Sequence, residues 1–170
     1  MVTRLLLISD THLPTRAKRM PDDVWRAVDA ADAVVHAGDW VDVATLDALQ
    51  TRARRLIAVW GNNDGPELRA RLPEFAVETI DQLRVGVVHE TGAASGREAR
   101  MDQTYADQGL DLLVFGHSHI PWDSRTPRGV RLLNPGSPTD RRRQPVCTMM
   151  TATVDGDGLR DVRLVPVSRG

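Results

Sequence analysis

Two histidines spaced one apart, His117 and His119, follow the apolar run 112–115 and a glycine. In an extended segment, alternate positions point the same way, so the spacing places both imidazoles on one side. Paired neutral imidazoles are what a borderline transition metal takes as ligands. Two imidazoles do not make a site, so the remaining donors must come from elsewhere in the chain. Asp10 and His12 follow the apolar run 5–8, and Asp39 follows the run 33–36. Asn62 follows 56–60, and His89 follows 83–88. Taken singly, each has a bland explanation: an Asx turn, a loop acid, a turn former, a satisfied strand-end histidine. Together they place a potential metal donor beyond the end of every apolar strand in the first two-thirds of the chain. In open α/β sheets that is where ligands bind.

The elements needed to hold these residues are legible from the patterning. After the strand at 5–8, Pro21-Asp22-Asp23 opens a helix, with proline and acids where a first turn prefers them. Val24, Trp25, Val28 and Ala31 form its inner face. A second helix is expected over 42–51 and a short third from Pro66 to about Leu72. Strands at 76–80 and 83–88 flank Asp81-Gln82 as a tight hairpin. Ser95 and Glu98 have capping-box spacing, which predicts a helix to about Gln108. The remainder reads as strands at 130–133, 146–154 and 159–167, with Asp155-Gly156-Asp157-Gly158 a hairpin turn. Alternating β and α followed by hairpins predicts an α/β layered sandwich. No linker or repeat interrupts the chain, so a single domain over 1–170 is expected.

The set Asp10-x-His12, Gly38-Asp39, Gly61-Asn62, His89 and Gly116-His117-Ser118-His119 resembles the calcineurin-like metallophosphoesterase superfamily. Ile120-Pro121 and Asn134-Pro135-Gly136-Ser137 are similar to its small YfcE-type phosphodiesterase branch. The resemblance implies an αββα sandwich of two mixed sheets flanked by helices, with two divalent metal ions at its centre. Asp10, His12 and His119 would bind the first ion, and Asn62, His89 and His117 the second, with Asp39 bridging both. A mixed N and O donor set suits manganese, iron, cobalt, nickel or zinc better than magnesium or calcium alone. Two such ions, the two carboxylates and a bridging hydroxide leave one net positive charge, matched to a phosphodiester monoanion. The implied reaction is in-line attack of that hydroxide on phosphorus. A phosphomonoesterase and a non-catalytic scaffold are the alternatives, since the superfamily includes a scaffold subunit of the retromer coat that has lost key ligands.

Three positions stand apart from the wider superfamily. Asn63 occupies a place where many relatives carry a histidine that assists the leaving group; its amide can only hydrogen-bond a phosphoryl oxygen. Glu90 replaces a usual glycine and is expected to point to solvent. Arg141, Arg142 and Arg143 form either a solvated run or a phosphate clamp, with Arg141 and Arg142 the candidate substrate contacts. His36 is expected to be a packed strand-end histidine.

Composition bounds the partners. A net charge of −1 argues against long nucleic acid and acidic membrane and for a small or short phosphodiester substrate. No apolar run is long enough for a membrane span or signal peptide, so a cytoplasmic location is expected. The single cysteine, Cys147, allows no intramolecular disulfide and reads as a buried, inert thiol. Trp25, Trp40, Trp60 and Trp122 belong to a core or to the interface of a homo-oligomer.

Overall fold

The first apolar run sets the architecture. In a computed structural model that describes residues 1–168, β1 (Val2–Ile8) turns Leu5 and Leu7 to one side and Leu6 and Ile8 to the other. Both sides are dry, so the strand must be covered on both faces. It lies at the centre of a five-stranded sheet with β2 (Ala33–His36), β3 (Leu56–Ala58), β9 (Cys147–Asp155) and β10 (Gly158–Val167). The order is β10-β9-β1-β2-β3, with β1, β2 and β3 mutually parallel, β9 antiparallel to β1 and β10 antiparallel to β9.

The second sheet comprises β4 (Phe75–Ile80), β5 (Leu83–Val88), β6 (Leu112–Val114), β7 (Trp122–Arg125) and β8 (Arg131–Asn134). Its order is β4-β5-β6-β8-β7, and β5, β6 and β8 run parallel. Leu5, Leu7 and Val35 of the first sheet pack against Val85, Val87, Val114 and Leu133 of the second to make the inner core. On the outer face of the first sheet, Leu6, Ile8 and Val34 meet α1 (Asp22–Ala30), α2 (Val43–Arg52) and α3 (Pro66–Arg71) through Val24, Val28, Leu46, Leu49 and Leu68. Met101 of α4 (Arg97–Thr104) covers Leu113, Phe115 and Leu132 on the other outer face. This is the αββα sandwich of two mixed sheets. Among the described residues, no helix is long and apolar enough to cross a membrane.

Both expected hairpins form, with two-residue turns at Asp81-Gln82 and Gly156-Asp157. Other expectations need correction. The helix predicted over 95–108 is only α4 and a separate 3-10 turn at Ala106–Gln108. Ser95 does not cap it, because Gly96 enters in the left-handed region at φ 69° and the hydroxyl finds no first-turn N–H. The ladder of β3 stops at Ala58, although the Val59 N–H still donates to the His36 carbonyl at 3.2 Å. The edge strand β7 was not expected, since Trp122-Asp123-Ser124-Arg125 shows no apolar run; it alternates half-buried and exposed. Trp40 is fully buried, whereas Trp25, Trp60 and Trp122 are half-buried beneath the guanidinium groups of Arg52, Arg69 and Arg97.

Candidate metal centre

Five parallel-strand ends converge at one edge of the sandwich. The first sheet brings Asp10, His12, Asp39 and Asn62, and the second brings His89, His117 and His119. All seven meet. Asp10 Oδ1 lies 3.4 Å from His119 Nε2, 3.7 Å from His12 Nε2 and 3.9 Å from His89 Nε2. Asp39 Oδ2 stands 3.3 Å from both His12 Nε2 and His89 Nε2, between the two groups of donors. Asn62 Oδ1 is 2.9 Å from His89 Nε2 and 3.0 Å from His117 Nδ1. Two clusters of metal-holding geometry share Asp10: Asp10 with His12 and His119, and Asp10 with Asp39 and His89.

The histidine pair does not follow strand alternation. His117 and His119 both sit in the left-handed region, at φ 72° and 59°, in a loop that is not extended. The two rings therefore part, His117 towards Asn62 and His119 towards His12. Asp10, His12 and Asp39 share this backbone, at φ 57°, 44° and 60°. Non-glycine residues rarely adopt it, and it persists only where surrounding bonds enforce it.

Those bonds come largely from residues with no periodic signature. Asp64 is 3% exposed and accepts N–H bonds from Asp39, Trp40, Val41 and Gly61 at 2.7–3.0 Å. Burial pushes its carboxyl up, with the Asp39 charge adding to the effect against those N–H bonds. The Ser137 hydroxyl donates to the Asp10 carbonyl at 2.7 Å, and Thr139 Oγ1 donates to the Thr11 carbonyl at 2.6 Å. Glycine is required where chains touch. A Cβ on Gly116 would lie 2.0 Å from Ser9 Oγ and 2.6 Å from Asp10 Oδ2, and one on Gly61 would lie 2.2 Å from Asp39 Oδ1. Gly61, Gly116 and Ser137 stand in motifs legible in the sequence, but their supporting roles are not, and Asp64 and Thr139 carry no such signal.

The donor chemistry fits divalent metal. Asp10 Oδ2 accepts from the Ser9 hydroxyl at 2.7 Å and the His117 N–H at 3.0 Å, while its Oδ1 is buried with no hydrogen-bond partner. A buried, unpartnered carboxylate oxygen needs a cation. The Ala37 carbonyl accepts from His89 Nδ1 at 2.7 Å, and the Asp140 carbonyl accepts from His119 Nδ1 at 2.7 Å. Each bond fixes the tautomer and leaves Nε2 as a bare lone pair facing the carboxylates. Burial lowers and the two carboxylates raise the His12 imidazole, with a net rise to about 9. His89 is raised by the same balance. Burial alone would raise Asp10 and Asp39, yet the neighbouring imidazoles hold both well below the usual carboxylate range. Every shift reports a demand for positive charge at one point.

The other sequence candidates fall around the rim. Asn63 is exposed, and its backbone N–H and side-chain amide both donate to Asp39, at 2.9 and 2.8 Å. Arg141 turns onto its own loop, donating to the Gln144 carbonyl at 2.7 Å, whereas Arg142 reaches the His117 carbonyl at 3.3 Å. Glu90 is exposed but not turned away, with Oε1 3.8 Å from His117 Nε2. His36 is a packed core residue, stacked on Trp40 at 3.5 Å between ring centroids. It accepts from the Gly38 N–H at 3.1 Å and lies 3.1 Å from Thr11 Oγ1.

Residues 3–157 match the calcineurin-like phosphoesterase superfamily domain. A probable metallophosphoesterase of Methanocaldococcus jannaschii is 34% identical over 162 residues, covering 95% of this chain and 80% of its own length. A phosphodiesterase of the same organism is 24% identical over 127 residues, covering 66% of this chain and 71% of its own. The crystal structure of Entamoeba histolytica Vps29 complexed with zinc superposes with a TM-score of 0.77 at 24% identity, covering 96% of this chain and 98% of that one.

Proposed function

We propose that this chain, which belongs to the calcineurin-like phosphoesterase superfamily, is a phosphodiesterase that works with two divalent transition metal ions. One observation carries the reading: Asp10 Oδ1 is buried and unpartnered where four imidazoles, Asp39 and Asn62 converge. Asp10, His12 and His119 would hold one ion, and Asn62, His89 and His117 the other, with Asp39 between them. Bound there, the ions supply Lewis acidity, lowering the pKa of water and neutralising charge on phosphoryl oxygens.

The protein's own groups divide the remaining work. Asp10, His12, Asp39, His89 and His119 are buried and form a floor, while Asn62 and the half-exposed His117 form its open wall. A phosphate therefore enters past His117 and Arg142, whose guanidinium meets an anion at the threshold. The candidate nucleophiles Ser9, Thr11 and Cys147 are engaged elsewhere. The Ser9 hydroxyl is committed to Asp10, Thr11 Oγ1 lies against His36, and Cys147 is buried in β9. The attacking oxygen is water's. Asn63, bonded to Asp39 and unable to act as an acid, holds that carboxylate in place and leaves the departing alkoxide without a protein proton donor.

The likeness to Vps29 favours one second reading, a non-catalytic scaffold on the same fold. The test is hydrolysis of bis(p-nitrophenyl) phosphate beside p-nitrophenyl phosphate by metal-stripped protein. Manganese, nickel, zinc and magnesium are restored singly, with Asp39→Asn as control. Diester turnover that requires a transition metal and is lost in the control is the expected result. Metal binding without turnover of either ester would favour the scaffold, and preference for the monoester would make it a phosphomonoesterase.

A further inference from the structure

Two loops bound the metal centre on the side of His12 and His119, and both are strongly basic. The loop following His12 carries Arg16, Lys18 and Arg19, and the loop following β8 carries Arg141, Arg142 and Arg143. Lys18 is the chain's only lysine, and these six cations belong to a protein whose net charge is −1. Elsewhere seven of the described arginines are paired with carboxylates. Arg4, Arg26, Arg52, Arg54, Arg55, Arg71 and Arg131 each have a carboxylate within 3.1 Å. Among the described residues, only Arg16 of the two loops has one, Asp140, at 3.7 Å. All six loop cations are exposed. Among the described residues, five of the six loop cations have no carboxylate partner, and all six are grouped beside the candidate metal centre.

Beside the first loop lies a cleft of about 370 Å³ lined by Arg16, Lys18, Arg19, Asp22, Pro138 and Thr139, three cations against the one carboxylate of Asp22, with Arg141, Arg142 and Arg143 outside its lining. That volume equals roughly a dozen waters, enough for a phosphate with its sugar. The cleft is joined to the candidate metal centre by two short links. Thr139, on its wall, bonds to the carbonyl between Asp10 and His12. The Asp140 carboxylate lies 3.7 Å from Arg16 and 3.7 Å from His119 Nδ1, so one side chain separates the cleft's first cation from a candidate ligand.

We propose that this cleft is a subsite for a second phosphate, and that the substrate is a phosphodiester bearing a further, non-scissile phosphate group. The inference rests on the phosphodiesterase reading for the scissile bond, but the subsite itself does not. Arginine offers forked donors that match phosphate, and the unpaired cations give a binding energy that a diester without a further phosphate could not use.

Two measurements separate the claims. In the first, calorimetry compares thymidine 3′,5′-bisphosphate with thymidine 5′-monophosphate on metal-stripped protein. The bisphosphate is expected to bind about tenfold more tightly. That advantage should shrink in about 0.3 M salt, as expected for exposed charges, and vanish in the Lys18→Ser/Arg19→Ser double variant. In the second, the metal-loaded protein is given thymidine 5′-(p-nitrophenyl phosphate) with and without a 3′-phosphate. The 3′-phosphate should raise kcat/KM about tenfold in the parent and not in the variant, with the plain ester turned over equally by both. Equal binding of the two nucleotides overturns the subsite. Preferential binding without turnover of either ester keeps the subsite and overturns the phosphodiesterase reading. Tighter binding of a 5′-phosphorylated oligothymidylate than of the bisphosphate would assign the subsite to strand ends, and weaker binding to small bisphosphates.

Discussion

Replacing Asp64 with asparagine should damage the site without touching a candidate ligand. The carboxylate accepts two N–H bonds on each oxygen: Trp40 and Val41 on Oδ1, both at 2.8 Å, and Asp39 and Gly61 on Oδ2, at 3.0 and 2.7 Å. An asparagine amide keeps one accepting oxygen and presents N–H to the other two donors. Bonds to a charged acceptor contribute about 1.5–3 kcal/mol each, so losing two costs about 3–6 kcal/mol. At 3% exposure water cannot replace them. Asp39 also relies on this anchor to remain at φ 60°. The assay is urea unfolding of the metal-stripped protein, followed by Mn²⁺ titration of whatever variant population folds. Destabilisation in the stated range with weakened metal binding is expected. A loss under about 0.5 kcal/mol, the scale of ordinary surface substitutions, with metal affinity intact would refute the argument.

Three further outcomes are expected. Burial pushes the His36 imidazole down to about 3, and the Gly38 N–H aimed at its Nδ1 leaves no acceptor for a second proton. Its unfolded value is near 6.5, so this residue's contribution is complete above that pH and is lost as pH falls towards 3, by about 2 kcal/mol between pH 6.5 and 5. Comparing the pH dependence of unfolding in the parent and in His36→Asn checks this; equal acid slopes would contradict it, since the opposite contribution of His12 is common to both chains. Gly116→Ala places a methyl against Ser9 and Asp10 and should cost about 1–3 kcal/mol in thermal unfolding while weakening metal binding. Across aryl and alkyl phosphodiesters, the rate should fall steeply as leaving-group pKa rises, because Asn63 cannot donate a proton; a flat dependence with chemistry rate-limiting would count against that role.

The legible part of this molecule was whatever apolar runs announce. Short buried strands such as 5–8, 33–36 and 112–115 cannot be mistaken for surface, and the residues after them fall at one sheet edge once the strands run parallel. That logic placed all seven candidate ligands. It could not see the left-handed backbone at His117 and His119, so the reason first given for their orientation was wrong although their location was right. Asp64, Ser137 and Thr139 act by collecting backbone groups up to 128 positions away, and even the Asn134-Pro135-Gly136-Ser137 motif does not reveal what its serine holds. Asn63 and Arg141, expected from their types as substrate contacts, also bond within the protein, to Asp39 and to the Gln144 carbonyl, which side-chain type alone does not reveal.

The division of donors between the two sheets has a consequence for how the protein reaches its folded state. Each cluster takes two residues from the first sheet and one from the second, and His12 and His119 are 107 positions apart. Neither sheet alone can present a full donor set. Closing such distant contacts is the slow, entropically costly part of assembly. A chain with only one sheet formed has no complete cluster, so tight metal capture reports that the two halves have docked. Added during refolding, metal should then slow the opening of the finished sandwich far more than it speeds the first collapse.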